Sequence, residues 1–191
     1  QTSFQGGTGG GALSGTDVAI SKWDTTGTTL IWSTYLGGSS DEMPHSMITD
    51  INGLLYVMGT TGSTDFPMPT IGYDTSHNGG PAVNLVNGLG VNLANGADIF
   101  VVQLDSAGAN LVGGTFLGGN HTDGINGFAG TRYNYADEVR GEIELDKLGN
   151  VYIASTTRST NIPVSGNTFQ PAKQNGVNQD GVIFKLTPDL N

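Results

Sequence analysis

The most constraining feature of this sequence is an internal repeat. The segment DVAISKWD at 17–24 returns as DIFVVQLD at 98–105, and more weakly as DGVIFKLT at 180–187. The segment LIWSTYLGG at 30–38 returns as LVGGTFLGG at 111–119, after the same interval as the first pair. Matching blocks in a fixed order are typical of repeat architectures, in which one small unit of strands or helices recurs.

The second half of the unit also repeats, but at a longer interval. The segment DINGLLYVMGTT at 50–61 returns as DKLGNVYIASTT at 146–157, and STDFP at 63–67 returns as STNIP at 159–163. The interval is longer because the second copy carries extra residues within 120–138. The sequence therefore predicts two copies of one unit that differ by local insertions.

Each copy contains four short runs rich in β-branched, aliphatic and aromatic residues, and several of them alternate with period two. Asp/Gly turns such as DTTG at 24–27 and DSAG at 105–108 join consecutive runs, as in tight β-hairpins. No segment has a helical period, so we predict an all-β chain of four-stranded antiparallel meanders, the unit of a β-propeller blade. The predicted strands are 17–23, 30–36, 46–50 and 54–60 in the first copy, 98–104, 111–117, 139–145 and 151–157 in the second, and 180–187 in a third.

These motifs carry a resemblance to a known family. The strings DIFVVQLDSAGANLVGGTFLGG at 98–119 and DKLGNVYIASTTRSTNIP at 146–163 resemble the bacterial β-propeller repeat, SBBP, also called the seven-bladed propeller repeat. The resemblance covers nearly the whole chain outside two insertions. It implies a large exported bacterial protein, secreted or on the cell surface, often carried by type IX secretion and built as an adhesin. It implies no family-wide catalytic residues.

A propeller needs about four to eight blades to close, and this sequence supplies two full blades and the start of a third. We therefore expect a partial ring, which belongs to a longer chain or assembles with further copies. The predicted organisation is an inter-blade loop at 1–16, blade A at 17–67, a long inter-blade insertion at 68–97, blade B at 98–163 with an insertion at 120–138, and a linker with the next first strand at 164–191.

Charge and composition exclude several classes of function. Seven basic residues against 17 acidic ones give a net charge of −10, which argues against nucleic acid and anionic membrane surfaces as partners. No stretch approaches the roughly 20 apolar residues of a membrane span, so membrane insertion is not expected. The absence of cysteine excludes disulfides and thiolate chemistry. The expected partners are other domains of the same long chain or other surface proteins, with glycans as a further class.

The two insertions are the candidate sites of specific function. Because strand direction alternates, both insertions are predicted at the same end of the blades, and the short Asp/Gly turns at the other. Residues 82–96 read as an added hairpin, which either covers its own blade or contacts a partner through Val83, Leu85, Leu89 and Val91. In the second insertion, Phe128, Arg132, Tyr133 and Tyr135 could stack on a sugar and hydrogen-bond to it, or form a self-packed loop.

Metal and catalytic motifs are weak. The segment NHTDGING offers Asn120, Asp123 and Asn126 as calcium ligands, but it lacks the spacing of an EF-hand loop, so calcium is the one cofactor considered. There is no GxSxG nucleophile motif, and Glu142 and Glu144 alternate along one strand as a solvated face would. The leading hypothesis is thus a non-catalytic extracellular scaffold and binding module of adhesin type. The alternative is a glycan-binding lectin propeller, and a hydrolase is favoured less.

Overall fold

The computed structural model describes residues 15–85, 91–127, 137–174 and 178–191. All regular structure in these ranges is β, and the predicted all-β, antiparallel class is confirmed. These ranges contain no helix that is long and apolar enough to cross a membrane. The strands are β1 (Val18–Trp23), β2 (Leu30–Leu36), β3 (Glu42–Thr49), β4 (Leu55–Thr61), β5 (Val83–Leu85), β6 (Val91–Leu93), β7 (Asp98–Leu104), β8 (Leu111–Leu117), β9 (Glu142–Leu145), β10 (Val151–Thr157) and β11 (Asp180–Leu186).

The Asp/Gly turns form the hairpins that the sequence predicts. In the turn between β9 and β10, Asp146 Oδ1 accepts hydrogen bonds from the backbone N–H groups of Leu148 (2.8 Å) and Asn150 (2.9 Å). Gly149 takes a φ of 81°, a left-handed conformation that residues with a Cβ rarely adopt. The turn between β1 and β2 uses Asp24 and Gly27 in the same way.

Nine of the described strands form three sheets. The central sheet has four strands in the order β3-β4-β7-β8, and it lies between the pair β1-β2 and the three-stranded sheet β9-β10-β11. One apolar layer joins β1 and β2 to the central sheet, and a second joins the central sheet to β10 and β11. The first layer includes Val18, Ile20, Leu36, Val57, Phe100 and Val102, and the second includes Met58, Val101, Ile143, Ile153, Phe184 and Leu186.

The sheets group the strands differently from the predicted blades 17–67 and 98–163. The predicted blade A divides between two sheets, because β2 has no ladder with β3, whereas β4 pairs with β7 from Leu55↔Leu104 to Thr61↔Asp98. A sequence repeat gives the period of the unit but not its starting point. The four-stranded sheet therefore begins two strands later than predicted, and residues 62–97 form a long connection within it.

The first strands of successive sheets lie side by side. Strand β3 contacts β9, and Ser46 Oγ donates a 3.1 Å hydrogen bond to Glu142 Oε2. Strand β3 is also longer than the predicted run 46–50, because a register shift between Pro44 and Ser46 lets it begin at Glu42. Adjacent first strands are the arrangement that successive blades have around a propeller axis.

Candidate functional site

The candidate site is the end of the sheets that carries the long connections, which we call the long-loop end. It consists of the described parts of 37–41, 62–97, 118–141 and 158–179. In the described part of the chain, the opposite end carries the short turns between β1 and β2, β3 and β4, β7 and β8, and β9 and β10. The described parts of both predicted insertions are at the long-loop end, as the alternation of strand direction requires.

The first insertion contains the predicted hairpin, formed by β5 and β6 with Val83 opposite Leu93 and Leu85 opposite Val91. This hairpin packs against β3 and against the connection between β8 and β9. Five buried residues fill the contact, and we call them the insertion cluster: Met43, Val91, Leu93, Ala97 and Ile125. The two insertions are therefore parts of one packed structure.

Backbone hydrogen bonds join the same two segments. The Asp123 amide donates to the Ala97 carbonyl at 2.7 Å, so the second insertion is hydrogen-bonded to the residue just before β7. Gly80 passes so close to His121 that a Cβ at residue 80 would lie 2.7 Å from the His121 Cα. These contacts fix the described parts of the two insertions relative to one another.

The four predicted partner-contact residues have different positions. Val91 is 3% exposed inside the insertion cluster, and Val83 is half-buried against it. Leu85 lies in β5, and Leu89 is outside the described residues. Through Val91 and Val83 the hairpin covers its own protein, and contact with a partner stays a prediction.

The four residues predicted to bind sugar, Phe128, Arg132, Tyr133 and Tyr135, also lie outside the described residues. Sugar binding by them stays a prediction. The described residues that flank them are Gly127, whose amide donates to Gln179 Oε1 at 3.0 Å, and the buried Asp137, which forms an ion pair with Arg140.

A buried carboxylate organises the connection between β2 and β3. The side chain of Glu42 is 1% exposed, and its Oε2 accepts a 3.0 Å hydrogen bond from the Gly38 amide. Its Oε1 accepts hydrogen bonds from Thr61 Oγ1 at 2.6 Å and Ser63 Oγ at 2.5 Å. One side chain thus ties this connection to the residues that end and follow β4.

The second copy of the repeat builds the same arrangement around Asp123, which corresponds to Glu42 of the first copy. Asp123 Oδ2 accepts hydrogen bonds from the Gly119 amide (2.9 Å) and Ser159 Oγ (2.7 Å), and Oδ1 accepts one from Thr157 Oγ1. Thr157 and Ser159 correspond to Thr61 and Ser63 in the alignment of the two copies. The repeated Thr-x-Ser-Thr motif therefore supplies the donors for a buried carboxylate.

Each copy places a second carboxylate beside the first. We call Asp17, Glu42, Thr61 and Ser63 the first carboxylate cluster, and Asp98, Asp123, Thr157 and Ser159 the second. A Cβ on Gly37 would collide with the carboxylate oxygens of Asp17 and Glu42, and one on Gly118 would collide with Asp98. The Leu-Gly-Gly motif thus recurs because each cluster needs the space that a side chain would take.

Burial perturbs the acidity of these groups. Burial raises the pKa of Glu42 to about 7, although hydrogen bonds from Ser63 and Thr61 oppose the rise. Burial also raises the pKa of Asp98 to about 7, and the neighbouring charge of Asp123 adds to the effect. The pKa of Asp123 is raised by its own burial. Glu42 and Asp98 are therefore still partly protonated close to neutral pH, where an exposed carboxyl group is ionised.

The three weak calcium candidates have other contacts. Asp123 accepts the hydrogen bonds described above, and Asn120 Oδ1 accepts one from the Thr160 amide at 3.1 Å. Asn126 Oδ1 accepts one from Gln179 Nε2 at 3.1 Å. Within 15–85, 91–127, 137–174 and 178–191, no group of three or more His, Asp or Glu side chains is placed to hold a metal ion. These residues link neighbouring loops of the long-loop end.

Glu42 with its hydroxyl partners, and Asp98, which accepts hydrogen bonds from the Asn78 and Gly79 amides, are residues that the sequence motifs did not single out. The sequence does contain a pattern that marks them. An acidic residue lies six positions after both Leu36 and Leu117, and the first block of the repeat begins with Asp17 in one copy and with Asp98 in the other. A carboxylate at an equivalent place in each copy of a repeat indicates a structural contact that each copy must make.

Comparison with known proteins agrees with this architecture. Residues 31–67 match the family model for the beta-propeller repeat, SBBP. The matched segment runs from β2 through β3 and β4 to the Ser63–Pro67 motif, and so it includes Glu42, Thr61 and Ser63. No curated protein shows significant similarity to the chain. Residues 31–67 are a β-propeller repeat of this family, as the sequence motifs predicted.

Proposed function

We propose that this chain is a non-catalytic scaffold and binding module that presents its long-loop end to a partner. The observation that carries the proposal is the insertion cluster, which packs described residues of two separate insertions against each other. Rigid scaffolds that display long connections at one end commonly bind partners there. The opposite end has short turns and offers little surface for recognition.

The setting of the module is an exported bacterial surface protein of adhesin type, located outside the cell or on its surface. The β-propeller repeat supports this setting, because the resemblance to that family implies an exported protein. The partners are other surface proteins or other domains of the same polypeptide, rather than nucleic acid or membrane.

The test is to immobilise the chain and probe it with a panel of isolated cell-surface proteins and a glycan array. We expect protein binding that is at least ten-fold weaker after substitution of Leu89→Ala together with Tyr133→Ala in the two insertions. The matched control is Leu148→Ala, because Leu148 is exposed in the short turn between β9 and β10.

Three results would contradict the proposal. Binding that is lost with Leu148→Ala and kept with the insertion variant would place recognition at the short-turn end. Glycan binding that depends on Phe128 and Tyr133 would favour the lectin alternative. A hydrolytic activity that disappears on neutral substitution of Asp137 or Glu138 would show that the module is catalytic.

A further inference from the structure

The turns that follow three equivalent strands differ at one position, which we call the turn position. The turns follow β1, β7 and β11, and the alignment of the repeats places Gly27, Gly108 and Leu190 at this position. All three residues take a left-handed φ, of 70°, 65° and 61°. Each amide donates to the carbonyl of the residue three positions before it, at 3.0, 2.9 and 3.0 Å. Leu190 therefore has a backbone conformation that favours glycine.

The turn position of the central sheet contacts the pair β1-β2. Trp32 Nε1 donates to the Ser106 carbonyl at 3.2 Å, and Lys22 Nζ from the neighbouring strand donates to the same carbonyl at 3.3 Å. The Trp32 ring lies so close to Gly108 that a Cβ on residue 108 would be 2.6 Å from a ring carbon. Glycine is required at residue 108 because a side chain would overlap the tryptophan.

The turn after β11 makes the equivalent contact with the central sheet. Gln103, which corresponds to Lys22, donates through Nε2 to the carbonyl of Pro188 at 2.6 Å. Opposite Gln103 in the ladder is Gly113, which corresponds to Trp32 and which we place with it at the strand position. An added Cβ on Gly113 would collide with Gln103 Oε1. The strand position of the central sheet therefore has no room for a side chain while Gln103 reaches the turn.

Each of the two contacts has one large apolar side chain and one glycine. In the first contact the strand supplies Trp32 and the turn supplies Gly108. In the second contact the strand supplies Gly113 and the turn supplies Leu190, whose side chain is fully buried with residues of β4, β7 and β10. The large side chain thus changes sides between the two contacts.

We propose that the strand position and the turn position form a matched pair that determines which sheet can pack beside which. A sheet with tryptophan at the strand position accepts a neighbour whose turn has glycine. A sheet with glycine there accepts a neighbour whose turn has leucine. The wrong combinations either overlap two large side chains or leave a space unfilled, and both lower stability. These contacts lie at the end with the short turns, away from the long-loop end proposed to bind a partner.

The sheets need such a device because their packing surfaces are otherwise alike. Three residues of the pair β1-β2 fill the first apolar layer, and their repeat equivalents in the central sheet fill the second. All six are buried aliphatic residues, Val18, Ile20 and Leu36 in the first layer and Ile99, Val101 and Leu117 in the second. Surfaces this similar discriminate little between neighbours, so a position where the wrong neighbour overlaps supplies the selectivity.

The test is a double-mutant cycle on the whole chain, measured by urea denaturation. Gly108→Leu places leucine against Trp32 and should raise the equilibrium constant of unfolding by at least about ten-fold. In the double variant with Trp32→Gly, the leucine meets glycine, as in the second contact. The double variant should unfold less readily, by at least about five-fold, than the product of the two single effects predicts.

The matched control is Gly27→Leu. Gly27 has the same turn position and a similar φ, but an added Cβ meets no described atom within 4 Å. This variant therefore measures the cost of a left-handed leucine alone, and it should cost less than Gly108→Leu. If Gly108→Leu does not fold, Gly108→Ala and Gly27→Ala replace the leucine variants, because the added Cβ alone already overlaps the Trp32 ring.

The contact itself is checked by NMR, since NOEs should join the Trp32 indole ring to the Gly108 Hα protons in the unaltered chain. Three results would overturn the proposal. One is the absence of these NOEs. Another is an equal cost of the substituted side chain at residues 27 and 108. The third is a double variant whose effect equals the product of the two single effects, because independent positions cannot select a neighbour together.

Discussion

At the scale of single residues, the glycines of the repeat are required by the buried carboxylates that lie against them. Gly37 and Gly118 follow the last residue of an equivalent strand, and each is in contact with a carboxylate that leaves no room for a Cβ. Their backbone conformation is not in the left-handed region, so the requirement for glycine is steric. The repeated Leu-Gly-Gly motif is therefore a consequence of the buried carboxylates beside it.

Gly118→Ala tests this relation. The new Cβ would collide with Asp98 Oδ1, whose side chain is fully buried, so the carboxylate or the loop must shift. We expect a loss of about 1–3 kcal/mol in the free energy of unfolding, as for overpacked sites, measured by urea denaturation.

The control for Gly118→Ala is Gly166→Ala, because an added Cβ at residue 166 meets no atom within 4 Å. That variant should change stability by no more than about 0.5 kcal/mol. Equal effects of the two substitutions would show that the space above Gly118 is not limiting.

The same clusters predict a dependence of stability on pH. The pKa values of Glu42 and Asp98 are raised to about 7 in the folded chain. The folded chain therefore keeps protons on these carboxyl groups that the unfolded chain releases near pH 4. Stability from these groups is therefore lost as pH rises through 7. Burial lowers the pKa of His45 to about 4, which has the opposite effect below about pH 6.5. Burial also lowers the pKa of His77. Between pH 6.5 and 8 the effect of these histidines is small and opposite to that of the carboxyls, so the carboxyl effect is measured as the difference between the unaltered chain and a carboxyl variant.

We expect each of the two carboxyls to lower the free energy of unfolding by about 1 kcal/mol between pH 6.5 and 8. Substitution of Glu42→Gln should remove the contribution of Glu42, about 1 kcal/mol, since Gln does not titrate. Glu144→Gln, on the exposed face of β9, should leave the decrease unchanged. Urea denaturation at several pH values measures the slope, and equal slopes for the unaltered chain and Glu42→Gln would refute the raised pKa of Glu42.

At the scale of elements, the hairpin and the second insertion act as one unit. Leu93 of β6 is fully buried in the insertion cluster with Ile125, although the two residues belong to different insertions. Burial of apolar side chains from both insertions is what fixes the long-loop end. A substitution in the hairpin should therefore also destabilise the second insertion.

Leu93→Ala is the variant that tests this coupling. Removal of a buried leucine side chain costs about 2–5 kcal/mol, and here the loss falls on the contact between the insertions. We expect faster hydrogen exchange of the Asp123 amide, which donates to the Ala97 carbonyl. Leu148→Ala is the control, because Leu148 lies at the opposite end. Unchanged protection of the Asp123 amide in Leu93→Ala would show that the insertions are independent.

Much of the element scale could be predicted from sequence. The predicted bounds of β2, β7, β8 and β10 agree with those observed, because apolar alternation and Asp/Gly turns define them locally. The start of β3 could not be predicted, since Pro44 and the following shift interrupt the alternation. The carboxylate clusters were not predicted because burial of Glu42 and Asp123 depends on partners from β4 and β10, which are distant in sequence.

At the scale of the whole molecule, the three sheets repeat one packing scheme. Tyr56 and Val101 of the central sheet are buried against the third sheet, and their repeat equivalents Tyr152 and Ile183 lie on the exposed face of the third sheet. In the central sheet, this face is covered by the third sheet. In the third sheet, the corresponding face is exposed. This succession is the property expected of blades in a propeller.

The grouping of strands into sheets is the part of the architecture that sequence could not supply. A repeat period is the same whether the unit begins at β1 or at β3. The choice is made by the pairing of β4 with β7, which closes the long connection from Gly62 to Ala97. Such a long-range contact leaves no local pattern in the sequence.

The most direct test of this architecture is therefore the pairing of β4 with β7, measured by interstrand backbone NOEs in the whole chain. The fold predicts NOEs in the register Val57 to Val102 and Gly59 to Phe100, together with none between β2 and β3. A continuous ladder of NOEs from β1 through β2 and β3 to β4, with none between β4 and β7, would contradict it.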